Sequence, residues 1–252
     1  MRGPPGKRRR EVSLVALLPN LMTLAAVCAG LSAIRFALDD RFGEAVAALV
    51  LAAVLDGMDG SVARLLKSAS ALGAELDSLA DFVNFGVVPP LVIYLWALHD
   101  LQGLGWLAVL VFAICTVLRL ARFNVSIKTG TPSMPGFHTG VPAPAGAMLC
   151  LLPLFAAQAG TGAPPASPLA IAVYLVFVAL LMISRLPTYS LKGVKVPQGR
   201  AFFLLSGLGA VLVALFTYPW ATMAALSLAY LASLLPAFVS HRRRYGRPLT
   251  PP

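Results

Sequence analysis

Acidic residues are scarce in this chain. Ten Asp and Glu stand among 252 residues, and charged residues of both signs make up only 12%. A soluble domain is about a quarter charged, so an ordinary cytosolic globule is excluded. The 58% hydrophobic content excludes a disordered tail as well. Cysteine is rarer still: Cys28, Cys115 and Cys150 lie singly in apolar runs, without the paired spacing of zinc sites or disulfide frameworks. Twenty Lys and Arg leave a formal net charge of +10. In a soluble protein that excess would suggest nucleic acid. Here the basic residues fall at helix ends and tails without aromatic interleaving, which argues against a nucleic-acid partner.

Long apolar runs are what the chain has in abundance. A bilayer core of about 30 Å needs roughly 20 apolar residues per spanning helix. That ruler gives eight candidates: 17–38, 43–66, 74–98, 104–124, 141–160, 166–184, 201–217 and 219–239. Turn residues separate them at Asp39-Asp40, Gly103-Leu104-Gly105, Gly160-Thr161-Gly162 with Pro164-Pro165, and Tyr218-Pro219. Only Thr217 to Trp220 divides the last two, the alternative being one broken helix. With the N-terminus in the cytoplasm, eight alternating helices put every Lys and Arg except Arg35 and Arg41 on the cytoplasmic side, as the positive-inside rule requires. An odd number would send Arg242–Arg244 across. The expectation is an all-α polytopic membrane helix bundle of about eight transmembrane helices with both termini cytoplasmic. Basic residues 7–10 then lead an uncleaved anchor, and residues 11–18 before Pro19 admit a short interfacial helix.

The scarce acids are clustered, with five of the ten inside residues 56–81. Ionisable residues within membrane helices are costly and mark function by default. At about 100° per residue, Asp56, Asp59, Gly60 and Ala63 share one face of the second helix, with Arg64 at its edge. Gly73, Asp77 and Asp81 stack at i, i+4 and i+8 on one face of the third. If the faces meet, four carboxylates converge and need a compensating cation. All-oxygen ligation points to Mg²⁺, Mn²⁺ or Ca²⁺, which commonly neutralise phosphate oxygens. Gly60 and Ala63 would let a nucleotide approach the helix backbone, and Arg64 would grip a diphosphate. The same residue types also suit an ion pathway, or carboxylates paired with Arg64, Arg119 and Arg122.

The full spacing, Asp56-x2-Asp59-Gly60-x2-Ala63-Arg64-x8-Gly73-x3-Asp77-x3-Asp81, resembles the signature of the CDP-alcohol phosphotransferase family at every fixed position. These are integral membrane enzymes that displace CMP from a CDP-linked substrate with an alcohol. The resemblance implies a divalent metal, Mg²⁺ or Mn²⁺, as two ions. Asp56, Asp59 and Asp77 would hold one, and Asp56, Asp77 and Asp81 the other. Asp81 would also be the general base. Gly60, Ala63, Arg64 and Ser70 would line the CDP group, joined by Asn20 and Thr23 from the Pro19-Asn20-Leu21-Met22-Thr23 opening of the first helix.

Further stretches resemble the bacterial, membrane-integral phosphatidylserine synthases within that family. They are Asp81-Phe82-Val83-Asn84-Phe85-Gly86-Val87-Val88-Pro89, Leu118-Arg119-Leu120-Ala121-Arg122-Phe123-Asn124, Thr139-Gly140-Val141-Pro142-Ala143-Pro144-Ala145 and Ser184-Arg185-Leu186-Pro187-Thr188-Tyr189-Ser190. The likeness implies CDP-diacylglycerol and L-serine as substrates, with phosphatidylserine and CMP as products. It also implies a homodimer in the bacterial inner membrane, surrounded by membrane lipid, with its site facing the cytoplasm. Arg119 and Arg122 would clamp the serine carboxylate, and Asn84 would orient the acceptor. His138 departs from the subfamily pattern, where an aromatic residue precedes the Thr-Gly pair, and is left outside the site. Segment by segment, 1–16 is a basic cytoplasmic or interfacial leader, and 17–200 the phosphotransferase core of about six helices. Residues 201–240 are two additional helices, and 241–252 a basic cytoplasmic tail. Two rival readings remain: the same chemistry on glycerol 3-phosphate, inositol phosphate or choline, and a divalent-cation transporter lined by the same acids.

Overall fold

The computed structural model describes residues 14–68, 70–129, 137–160, 166–189 and 198–245. The basic leader before residue 14, the segment holding Lys192 and Lys195, and the tail from residue 246 lie outside the described residues. A 3-10 turn, Leu14–Leu17, runs directly into α1 (Leu18–Leu38), which carries a proline in its first turn. Asp39, Asp40 and Arg41 turn the chain into α2 (Phe42–Leu65), with Asp40 at φ 58°, a conformation that Asp tolerates through its short polar side chain. Of all helix pairs, α1 and α2 have the most extensive contact. Ala26, Ala29, Gly30, Ala33 and Ala37 of α1 are buried, as are Ala45, Leu49 and Ala52 of α2. Small residues at helical spacing let two backbones approach closely, which is how helices associate where lipid removes the hydrophobic drive.

Lys67, at φ 50°, ends α2, and Ser70 opens α3 (Ala71–Asp81) by accepting the Gly73 backbone N–H at 3.0 Å. The helix does not stop at Asp81. It loosens into a π-turn over Phe82–Val87, resumes as α4 (Val88–Ile93), loosens again over Tyr94–Leu98 and tightens at His99–Leu101. Pro89 and Pro90 account for the first irregularity, because neither can donate to the preceding turn. Gln102, at φ 47°, then starts α5 (Gly103–Lys128). The expected Gly103–Gly105 turn is therefore the first turn of a helix. Gly105 lies so close to the Leu98 carbonyl that a Cβ would not fit.

The fifth expected segment is broken into α6 (Ala143–Cys150) and α7 (Leu152–Gln158), where Pro153 withholds an N–H. The eighth helix, α8 (Pro168–Ile183), is N-capped by Ser167 and packs on α5. A two-stranded antiparallel ladder, β1 (Phe137–Thr139) with β2 (Pro187–Tyr189), pairs His138 with Thr188. The chain closes with α9 (Gln198–Thr217) and α10 (Pro219–Tyr245), separated at Tyr218. The last two expected segments are thus two helices, not one.

Among the described residues, the bundle is all-helical apart from that short ladder. Among the described residues, five stretches are long and apolar enough to cross a membrane: Val15–Leu38, Phe42–Leu65, Ala71–Leu101, Gly103–Lys128 and Pro219–Ser240. Pro168–Ile183 and Phe202–Thr217 are apolar but shorter. The core joins Phe112 of α5, Ile93 of α4, Phe155 of α7 and Leu175 of α8, all buried. Exposed Leu, Val and Phe cover the outside of most helices, as expected for a surface facing lipid rather than water.

Candidate active site

The acid-bearing ends of α2 and α3 do meet. Asp56 and Asp81 lie within hydrogen-bond reach of each other, with Asp77 and Asp59 in electrostatic range. Asp59 is 3% exposed, and its carboxylate accepts the Thr23 hydroxyl of α1. Thr23 also faces the Pro19 carbonyl, at 3.1 Å, so its single proton is divided between two acceptors. One oxygen of Asp56 is buried without any hydrogen-bond partner. Carboxylates this close repel unless a positive charge lies among them. Arg119 of α5 is the basic group in electrostatic range of Asp81.

Among the described residues, no three acidic, histidine or cysteine side chains already close on one point as a formed metal cage would. The donor set still suits a hard divalent cation: four carboxylates, all oxygen, one with an orphaned buried atom.

The expected nucleotide contacts surround the turn between α2 and α3. A Cβ built on Gly60 would meet nothing within 4 Å, so packing within the chain does not require glycine there and the backbone is open to a ligand. Ala63 is half-buried on the same helix. Arg64 is exposed and folded back, its Nε donating to the Gly60 carbonyl at 3.2 Å and Nη2 to Ser61 Oγ at 3.3 Å. Asn20 sits over the start of α3, where a Cβ on Gly73 would come within 2.9 Å of its side-chain oxygen. Ser70 serves as the N-cap of α3, and Thr23 is engaged with Asp59. The turn also buries the Ser68 hydroxyl without a partner, a residue that the signature spacing does not mark.

The three expected acceptor contacts separate. Arg119 lies in electrostatic range of Asp81 without closing an ion pair, and its Nε is buried without a partner. Arg122 is exposed and donates from Nη1 to the Ile183 carbonyl at 3.0 Å. The free carbonyls at the C-terminus of α8 attract a cation and hold Arg122 there, although the i, i+3 spacing keeps it on the same side of α5 as Arg119. Asn84 is 1% exposed, with both ends of its amide unpartnered and its oxygen pressed against Gly30 of α1.

Two ties outside the expected set hold α3 to α5. Asn124 Nδ2 donates to Ser78 Oγ at 3.0 Å, and Lys128 pairs with Glu75 at 3.2 Å. Nothing local in the sequence announces partners 46 and 53 residues apart. Helix α5 continues to Lys128, and Phe137–Thr139 form β1. The side chain of His138 lies outside the described residues.

Residues 16–185 match the profile of CDP-alcohol phosphatidyltransferase. The chain is 39% identical over 242 residues to the CDP-diacylglycerol–serine O-phosphatidyltransferase of Mycobacterium leprae, covering 95% of this chain and 79% of the relative. It is 41% identical over 246 residues to the Mycobacterium tuberculosis protein of that name, covering 96% and 84%. The Helicobacter pylori protein of the same name is 40% identical over 136 residues, covering 54% and 56%.

Proposed function

The chain belongs to the CDP-alcohol phosphatidyltransferase family, and on that premise we propose that it transfers the phosphatidyl group of CDP-diacylglycerol to L-serine. The observation that carries this reading is the meeting of the two acid faces, with a buried Asp56 oxygen left unpartnered. The serine hydroxyl oxygen forms a new bond to the phosphorus bearing diacylglycerol. The bond from that phosphorus to the CMP oxygen breaks, and CMP leaves with the electron pair. Asp81 takes the proton from the serine hydroxyl. No covalent enzyme intermediate is needed.

Asp56, Asp59 and Asp77 would hold one divalent ion, and Asp56, Asp77 and Asp81 a second, as Mg²⁺ or Mn²⁺. When bound, such ions neutralise pyrophosphate oxygens and the charge that develops on the leaving group. Thr23 holds Asp59 in place. The open backbone at Gly60, together with Ala63, admits the donor, and Arg64 unfolds from its own helix to meet the diphosphate. Ser70 and Asn20 border the same turn. Arg119 receives the serine carboxylate. Arg122, on the same side of α5, braces α8 through the Ile183 carbonyl. Asn84 completes the acceptor side beneath Asp81.

The donor's acyl chains remain in lipid while serine arrives from the aqueous side. The relatives' bacterial origin and the bias of basic residues support a location in the inner membrane with the site facing the cytoplasm. The family resemblance supports a homodimer. Full-length relatives of the same name support serine as acceptor over glycerol 3-phosphate, inositol phosphate or choline. A cation-transport reading leaves the open face at Gly60 and the adjacent Arg64 without a purpose.

The test is CMP release by the purified chain in bilayers containing CDP-diacylglycerol and Mg²⁺ or Mn²⁺, with a panel of alcohols. Release with serine is expected. Release with another alcohol but none with serine would replace the acceptor, and metal uptake without CMP would revive transport. Asp81→Asn should slow turnover by about 10²- to 10⁴-fold, the usual contribution of a general base. Near-normal turnover would remove Asp81 from that role.

A further inference from the structure

Helix α10 lies beyond the residues matched by the family profile, yet its inner face reaches the acceptor side of the aspartate cluster. Ala224, Ser227 and Ala237 are buried along that face, and Tyr230 is half-buried between them. Ser227 fixes the rotation of the helix. Its hydroxyl donates to the Met223 carbonyl at 2.7 Å and faces the Met148 carbonyl of α6 at 3.5 Å. One turn onward, the ring of Tyr230 packs against the hydrophobic core, and α10 lies against β2.

The Tyr230 hydroxyl is buried and closes no hydrogen bond of ordinary geometry. Beside it, where α10 lies against β2, is the Thr188 hydroxyl, and the Arg119 guanidinium of α5 is in electrostatic range. Thr188 donates its proton to the Gly140 carbonyl at 3.0 Å, so toward Tyr230 it offers only an acceptor. A tyrosine that donates to Thr188 keeps its own lone pairs for a second donor. Arg119 supplies one, since its Nε–H is also buried and unpartnered. A buried donor and a buried acceptor in one neighbourhood are each costly alone and satisfy each other when paired. Arg119 meanwhile has a competing attraction, the carboxylate of Asp81.

We propose that Tyr230 is a positioning residue for Arg119. A small shift of either side chain lets the Tyr230 hydroxyl accept the Nε–H of the guanidinium, which turns the two terminal nitrogens toward the carboxylate of the acceptor, away from Asp81. The resulting relay runs from Arg119 through Tyr230 and Thr188 to Gly140. It gives α10 a part in acceptor recognition. The inference rests on the reading of Arg119 as the receptor for the serine carboxylate.

The test is steady-state kinetics of the full chain in bilayers, with Tyr230→Phe, Arg119→Lys and the double variant, varying serine and CDP-diacylglycerol separately. Tyr230→Phe keeps the ring and removes only the hydroxyl, so the core stays filled. The expected result is a serine KM raised about 3- to 10-fold, the worth of one net hydrogen bond. The KM for CDP-diacylglycerol and the kcat at saturating serine should stay within about twofold, and the hydroxyl loss should add nothing in the Arg119→Lys background. An unchanged serine KM in Tyr230→Phe, alongside a raised one in Arg119→Lys, would overturn the proposal. So would effects that multiply in the double variant, or a fall in kcat with both KM values rising, the pattern of a merely structural residue. An unchanged serine KM in Arg119→Lys would instead sink the reading of Arg119 itself.

Discussion

Two pairs of consecutive helices, α1 with α2 and α9 with α10, are built on opposite principles. The first pair meets through Ala and Gly over an extensive contact, and it buries Thr23 against Asp59 inside that contact. In the second pair, none of the described side chains of α9 is buried, and Phe202, Phe203, Leu205 and Phe216 point outward. Lipid solvates such aromatic and aliphatic surfaces as well as another helix would, so α9 has little reason to pack tightly. An aspartate has no such alternative, and the chain must enclose it. Between these two pairs, close packing goes with the buried polar group.

Three substitutions would break or sharpen that contrast. Gly60→Ala should have the largest effect and the most diagnostic one. A methyl there meets nothing in the chain, so thermal stability should hold or rise by about 0.5–1 kcal/mol. CMP release should nonetheless fall by about 10- to 100-fold, as a donor displaced by a methyl group loses alignment. Activity retained at normal levels would show that nothing approaches this backbone. Thr23→Val tests the polar bridge within the first pair. With its donor lost, buried Asp59 should lower stability by about 1–3 kcal/mol in thermal unfolding, whereas an unchanged melting temperature would make the bridge incidental. Phe216→Leu on α9 should do least. Phe216 is 88% exposed, and stability should stay within about 0.5 kcal/mol with turnover unchanged. A large loss there would mean that α9 is covered by something more demanding than lipid.

Helix positions and the acid faces were legible in the sequence because both are written in local periodicity. The bounds of α1, α2 and α5 follow the apolar runs, and Asp56, Asp59, Asp77 and Asp81 converge as their spacing requires. Helix interruptions were less legible. A hydropathy window reports transfer into lipid and is blind to Pro153 splitting one run, or to the π-turn before Pro89 and Pro90. Gly103 and Gly105 read as a turn, whereas Gly105 is there for the close passage of Leu98. The bond that Arg122 makes was not legible. Its partner is one carbonyl 61 residues away, a distance over which no pattern connects two residues. Tyr230 was missed for the same reason, since only the fold brings α10 to Arg119.

The bond between Thr23 and Asp59 has a consequence for biogenesis. A helix entering the bilayer with an aspartate near its middle pays about 2.5–3.5 kcal/mol on insertion, and α2 carries Asp56 and Asp59 near its end. The partner of Asp59 sits on the helix made immediately before, across a connection of only Asp39, Asp40 and Arg41. The pair can therefore close as this hairpin leaves the translocon, before α3 has followed it into the membrane. Asp59 reaches the membrane already escorted, and the opening helix acts as an intramolecular chaperone for the acid that follows it.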